Sequence, residues 1–456
     1  MVSRKIRKGS AFLMSMIVLA VLSTWAISIY SISGSNLQLA ENQRKADSAR
    51  ATAESGQEIV RLWLNYVEIP GDTPAAERFI KIGESLQLAV DTISNITPYA
   101  TSSQITVPSV VLDSQQGRSF TAEITPSGSN TLQLSVIGTY GSVAKKIGAS
   151  YNFDTKPHTV FDYGVATKGP LHLSGNIELE GINVSVESDV FIESPGQNEA
   201  LAIIGNSQIA GNVTITNPDA YVTLQGGKAS IGGDTGAAAM DHVKIGEAPP
   251  EFPAPDPHHF EHYAVNTVDS STDTTVDATF DNIRIVAGTN PTFTGQVTLR
   301  GIVFIETPNI VTFAGGVTII GIIIGDGDVA DNSGVNQVNF IGNVTSEPVT
   351  ELPGEEQFAG LQSETGTFLL APGFHLSFGG SFGTLNGAIA GNGIAFFGDA
   401  GGIINGTIIN YSNDEMTLSG NNNLSFNRSG STKIPVGFIQ DIVLSYDPES
   451  YSEVML

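Results

Sequence analysis

The chain has 456 residues, with 21 Lys and Arg against 46 Asp and Glu, 50 Gly and no Cys. That length holds two or three domains with a sizeable core, and 41 % hydrophobic residues is too many for global disorder. The absence of Cys removes disulfide frameworks, Fe–S clusters, Cys-ligated zinc and thiol catalysis, and a formal charge of −25 disfavours nucleic acid as a partner.

The charge is unevenly placed. Up to Lys156 there are 14 basic and 12 acidic residues, whereas from Pro157 on there are 7 basic against 34 acidic. The C-terminal two-thirds is therefore a one-signed acidic body, which favours solubility and discourages its contact with anionic lipid or polyanions.

The N-terminus carries a basic cluster, Arg4, Lys5, Arg7 and Lys8, and no further charge until Glu41. Ala11 to Tyr30 is almost wholly apolar, and 20 residues at 1.5 Å each span roughly 30 Å, one hydrocarbon core. The cluster in front holds its end in the cytoplasm, which predicts a single-pass inner-membrane protein with its body periplasmic or extracellular. The competing reading is a cleaved secretory signal. That reading wants an apolar region of about 7–15 residues and a small-x-small site behind it. This run is longer, and Trp25-Ala26-Ile27-Ser28 makes a poor site. Helical spacing continues through Ala46, Ala49, Ala53, Ile59, Leu62 and Leu64 with no Pro, and Ser33-Gly34-Ser35-Asn36 is a candidate interruption.

Basic residues, then Gly9-Ser10, an unbroken apolar helix and Ala53-Glu54-Ser55-Gly56 together resemble the N-terminal region of type IV pilin-like proteins. Within that group the stretch is most similar to PilX-type minor pilins and the tip pseudopilins of type II secretion. The resemblance covers about the first 65 residues. It implies processing between Gly9 and Ser10, other pilin-like subunits as partners, and assembly by packing of apolar helices. Met14 stands where most pilins carry Glu, which points away from a bulk filament subunit.

A second helix is expected over Thr73–Ile93, with Pro74 in its first turn. Runs at Gln104–Leu112, Ser119–Ile124, Thr131–Thr139 and Lys146–Phe153, parted by turn residues, read as an antiparallel meander. From Phe161 the texture changes to short apolar runs punctuated by Gly and Asn. Gly-Asn pairs stand at Gly175, Gly205, Gly211, Gly342, Gly391 and Gly420. Such short strands with corners needing φ > 0 suit a right-handed parallel β-helix with Asn ladders at its corners; a β-sandwich is the alternative. The expected fold is thus α+β followed by all-β. Residues 1–9 form a leader, 10–67 a membrane and assembly helix, and 68–156 a pilin-like head. Residues 157–246 and 271–433 form two β-helix parts, joined by a Pro-rich linker or arm at 247–270, and 434–456 is a tail capping the last coil.

Candidate chemistry is sparse, and neither catalytic residues nor a cofactor are assigned. His258, His259 and His262 beside Asp256 and Glu261 have a spacing that a metal can use, but the His-Glu-x-x-His order of zinc proteases is missing. Asp326, Asp328, Asp331 and Asn332 place hard oxygen ligands in a Gly-punctuated loop, without the distal Glu of an EF-hand. No metal site is assigned to either cluster. The functional expectation is a membrane-anchored structural protein of the bacterial envelope, a minor or tip subunit of a type IV pilus or related filament. Its β-rich body then serves as spacer or adhesive surface toward a glycan or protein ligand. The alternative is a surface-anchored, polysaccharide-active β-helix enzyme, for which paired carboxylates in a cleft are required.

Overall fold

A computed structural model describes residues 10–91, 98–101, 103–429 and 434–454. Two compact units emerge: a head formed by Met1–Lys156 together with Asp441–Leu456, and a body formed by Pro157–Gln440.

The head begins with α1, Ser10–Leu64, one 55-residue helix that continues through Ser33–Asn36. The expected interruption there does not occur; the helical register carries a single unpacked Gly34, around which an added Cβ meets nothing within 4 Å. A second helix, α2 (Ala75–Asp91), follows the strand β1 (Glu68–Ile69). Then come β2 (Tyr99–Ala100), β3 (Ile105–Asp113), β4 (Arg118–Pro126), β5 (Thr131–Tyr140) and β6 (Val143–Lys156), in an antiparallel meander. Burial alternates residue by residue along β5, the signature of a sheet with one covered face. The cover is the second half of α1, where Ala53, Val60, Trp63 and Leu64 join Phe120, Leu134 and Val136 in one core. Helix and sheet approach closely because Gly138 faces the helix: a Cβ there would lie 2.2 Å from the Ala53 backbone nitrogen.

The tail is the main departure from expectation in this unit. Asp441–Val454 is not a cap on the body but a 14-residue strand of the head's seven-stranded sheet, lying between β1 and β6. Ile442 and Leu444 fill the head core, so the tail buries its apolar positions there.

Within the body, strands fall into parallel sheets of 12, 9 and 7 strands, visited in rotation. Val165–Thr167 lies in the first sheet, Leu171–Gly175 in the second and Glu178–Gly181 in the third; Val190–Ile192 then returns to lie beside Val165–Thr167. Register is kept by like stacking on like: Val165, Val190, Val213 and Val243 form one column. Among the described residues of the body, the hairpin-linked antiparallel sheets of the sandwich alternative are not found. Among the described residues the body's antiparallel pairs are confined to Ser230–Ile231 with Asp234–Thr235 and Ala254–Pro255 with Phe438–Ile439.

The two strand-rich blocks do not follow one another end to end along the stack. The first block runs outward from Val165–Thr167 to Val243–Ile245. After the Pro-rich arm the chain restarts at the opposite end, at Asn266–Val268, and works back until Ile408–Asn410 pairs in parallel with Val165–Thr167. The first and last passages of the chain are therefore neighbours in the middle of the body. Inside lies one core containing five phenylalanines in register, Phe293, Phe313, Phe340, Phe378 and Phe396. Their successive ring centroids are 5.2, 5.1, 4.9 and 4.8 Å apart, at 10–16° between planes. The spacing follows the separation of neighbouring strands, about 4.7–4.9 Å.

The 12-stranded sheet is covered on its outer face as well. Ile302, Phe304, Ile322, Ile324, Leu370 and Ile409 pack there beneath Phe260, Val349, Phe358 and Phe438. The stretch expected to be a linker supplies much of this cover. Pro257–Tyr263 is a 3-10 helix with Phe260 fully buried, and Ala254–Pro255 pairs with Phe438–Ile439.

Candidate functional site

The free half of α1 and an open groove on the body are candidate functional features.

From Phe12 to Leu39 the large apolar side chains of α1 are exposed, Phe12 by 70 %, Trp25 by 67 % and Tyr30 by 83 %. Among the described residues this is the helix long and apolar enough to cross a membrane. Four of its hydroxyls are satisfied within the helix. Ser15 donates to Phe12 O, Ser23 to Leu19 O, Thr24 to Val21 O and Ser28 to Thr24 O, each at 2.7–2.8 Å. Self-satisfied hydroxyls remove the cost of placing a polar group in hydrocarbon. The second half is fixed to the head by side chains as well as by the core. Arg50 bridges Glu54 at 2.9 Å and Glu453 at 2.8 Å, and Tyr451 donates to Glu54 at 3.1 Å. Of the processing and orientation residues, Arg4, Lys5, Arg7, Lys8 and Gly9 lie outside the described residues; Ser10 is the first residue of α1.

The groove is lined by Pro255, His258, Thr307, Asp326, Asp328 and Asp331, among others. It unites two clusters that are far apart in sequence, because the covering 3-10 helix lays His258 against the end of the Val317–Gly325 strand. His258 Nε2 is 3.6 Å from Asp326 Oδ1, and its Nδ1 is 3.5 Å from Glu261 Oε2. Glu261 in turn holds Arg284 at 3.1 Å, and Arg284 holds Glu306 at 3.2 Å. Burial pushes the Asp326 carboxyl above its ordinary range; the carboxylates of Glu261 and Glu306 add to this, against His258 and Arg284. The Arg284 hydrogen bond holds Glu261 below its ordinary range.

The remaining candidates do not converge. Asp328 Oδ1 accepts from Ala330 N at 2.9 Å, and Asp331 accepts from Ser333 N at 2.9 Å and Asn336 Nδ2 at 3.0 Å. Asn332 Oδ1 accepts from Asn392 Nδ2 at 3.0 Å. His259 turns to Glu364 at 3.1 Å, and His262 lies against the Tyr263 ring at 3.9 Å. Among the described residues, neither the three aspartates nor the three histidines gather their ligand atoms around one point. These groups tie loops and the covering segment in place.

No family model and no curated protein matches the chain. Among solved structures, the chain is similar to the competence-associated pilin ComZ of Thermus thermophilus at 12 % identity, covering 90 % of this chain and 98 % of that one with a TM-score of 0.29. It is also similar to an ice-binding protein from the Antarctic ascomycete Antarctomyces psychrotrophicus, at 12 % identity over 59 % of this chain and 97 % of that one, TM-score 0.17. A third is an ice-binding protein from an Antarctic biological consortium, at 13 % identity over 60 % and 90 %, TM-score 0.17.

Proposed function

We propose that the chain is a single-pass, membrane-anchored structural subunit of a bacterial envelope, a PilX-type minor or tip component of a type IV pilus or related filament. The observation that carries this reading is the division of α1. One continuous helix has an exposed, uncharged first half and a second half that is the core of the head. Such a helix holds a folded head at the surface of a bilayer and offers its apolar half to other helices in or drawn from lipid. The resemblance at Gly9-Ser10 adds processing on the cytoplasmic side, leaving Ser10 as the new N-terminus.

The body we read as a parallel β-helix that acts as a stiff acidic spacer or adhesive surface, working by shape and polar contact rather than by bond-breaking. Of the carboxylates lining its groove, Asp326 faces His258 while Asp328 and Asp331 accept from neighbouring N–H groups, which supports a structural use over a catalytic one.

The test is N-terminal sequencing of the mature protein with and without Gly9→Phe, together with purification of surface filaments. Processed Ser10 and co-purification with filaments are expected, both lost in the variant. An intact Met1 in the wild type sinks the processing, and a form released without residues 10–30 sinks the anchor.

A further inference from the structure

At the end of the head nearest the exposed half of α1 there is a second groove, lined by Arg44, Arg118, Gln43, Gln116, Ser48 and Asp47. Ala40, the last residue before the first charge at Glu41, also lines it. The turn that carries Gln116 is joined to the next hairpin turn by a hydrogen bond from Gly141 N to Gly117 O of 3.1 Å. Just past the second turn stand Lys145 and Lys146.

This end of the head is cationic in a way that its other ion pairs are not. Lys45 is held by Glu41 at 2.9 Å and Arg50 by Glu54 and Glu453. Among the described residues no carboxylate lies within salt-bridge distance of Arg44, Arg118, Lys145 or Lys146. Arg44 lies over the Tyr140 ring at 6.0 Å, and Arg118 uses Nε on Thr52 Oγ1 at 3.1 Å. The carboxylate of Asp47 accepts Gln43 Nε2 at 3.1 Å. Two guanidinium groups, the Gln116 amide and the Ser48 hydroxyl around one groove, with the Asp47 carboxylate engaged by Gln43, form a donor set suited to a phosphate.

The helix sets the height of this groove. The uncharged stretch from Ala11 to Ala40 is 30 residues. At 1.5 Å per residue that is roughly 45 Å, the thickness of a bilayer including both headgroup layers. With that stretch in a membrane, Arg44 lies about 6 Å beyond its end, within one Debye length of the headgroups. We propose that this groove seats the phosphate of an acidic phospholipid, with Lys145 and Lys146 adding long-range attraction, so that the head docks on the membrane surface. The inference rests on the anchored reading of α1.

The absence of Cys allows a single label on the full chain. Ser142→Cys, carrying an environment-sensitive dye, is titrated in neutral detergent with dioctanoyl-phosphatidylglycerol, dioctanoyl-phosphatidylcholine and inorganic phosphate. Saturable binding of the phosphatidylglycerol is expected, at least tenfold tighter than the phosphatidylcholine or free phosphate. Arg44→Gln and Lys145→Gln, both at exposed positions, should each weaken it about fivefold, a figure typical of one cation near an acidic surface. Equal response to the two lipids, or no change in the double variant, overturns the proposal. Free phosphate binding as tightly as the acidic lipid overturns the lipid assignment. Carbonate extraction of the full chain from membranes tests the anchor separately, since the titration needs no bilayer.

Discussion

Lys156 and Asp441 are cross-strand partners, the last pair in the antiparallel ladder between β6 and the C-terminal strand, although 284 residues of body lie between them in the chain. The two ends of the body meet likewise: Phe161 and Phe438 pack edge to face with centroids 5.2 Å apart, and the His158 ring is 3.0 Å from Ile439 O. Each unit therefore closes on itself. Replacing residues 157–440 by an Asn-Gly turn should leave a folded head, because such a turn joins adjacent antiparallel ends directly. The excised 157–440 piece should fold as well. Circular dichroism and thermal melting of the two pieces check this; a head that melts without cooperativity would show that its sheet needs the body.

The aromatic column supplies a second prediction. Phe340 is fully buried, with Phe313 on one side and Phe378 on the other. Phe340→Ala should cost about 3–5 kcal/mol, whereas Phe340→Leu keeps most of the volume and should cost less than half of that. Denaturant midpoints of the body measure both. Equal losses would mean that the ring stack, rather than filled volume, dominates.

The corners of the body make opposite demands from the helix on Gly. Gly175, Gly205, Gly226 and Gly420 all have φ between 81° and 139°. At Gly226 a Cβ would lie 2.1 Å from Gly205 O. Gly226→Ala should therefore destabilise the body by well over 1 kcal/mol. Gly34→Ala sits in an open stretch of α1 and should stabilise that helix by about 1 kcal/mol. Thermal melts of the body and helix content in detergent, respectively, read the two signs.

Much of this was legible in the sequence. Val190–Ile192 and Val297–Ile305 are apolar runs whose limits show in the sequence: Ser188-Asp189 and Glu193-Ser194-Pro195 bound the first, Gly295-Gln296 and Glu306-Thr307-Pro308 the second. Asn ladders appear as expected, Asn206 donating to Asn176 and Asn405 to Asn386, each at 2.7 Å. The fate of Asp441–Val454 was not legible, since its alternation specifies a strand but not which sheet receives it. The second covered face had a local signal. After Gly301, Ile302-Val303-Phe304-Ile305 abandons alternation, as a strand buried on both sides must. The approach of His258 to Asp326 depends on where the covering segment lies, which no spacing encodes.

Acid should loosen the Ser185–Ser188 turn at the ends of the middle strands of the third sheet, at Glu187. Burial opposes its charge, yet N–H groups of Asn183, Val184, Arg428 and Ser429 converge on the carboxylate at 2.7–3.4 Å. Its pKa is thereby pulled down to about 2 from 4.5. Because the folded value lies below the unfolded one, the contribution is complete above about pH 4.5 and is lost as pH falls through about 2. The shift corresponds to roughly 3 kcal/mol. Melting temperatures of the body between pH 7 and 2 should fall mainly below pH 4.5, and Glu187→Gln should flatten that limb while lowering the plateau. A limb unchanged in the variant would assign the acid sensitivity to other carboxylates.

One buried hydroxyl joins the Ala254–Pro255 pairing and Phe260 in holding the arm across the body. Tyr411, 6 % exposed, donates to Pro253 O at 2.6 Å, and Lys168 lies over both the Tyr411 and Phe252 rings, at 5.8 and 5.2 Å. Tyr411→Phe keeps the ring and the cation contact but strands a buried carbonyl, at a cost of about 1–3 kcal/mol. That cost should appear as faster proteolytic cleavage between residues 247 and 256, with little change in cleavage elsewhere. Cutting at an unchanged rate would show that the Ala254–Pro255 pairing and Phe260 hold the arm without Tyr411. Uniformly faster cutting would place the loss in the core rather than in the arm.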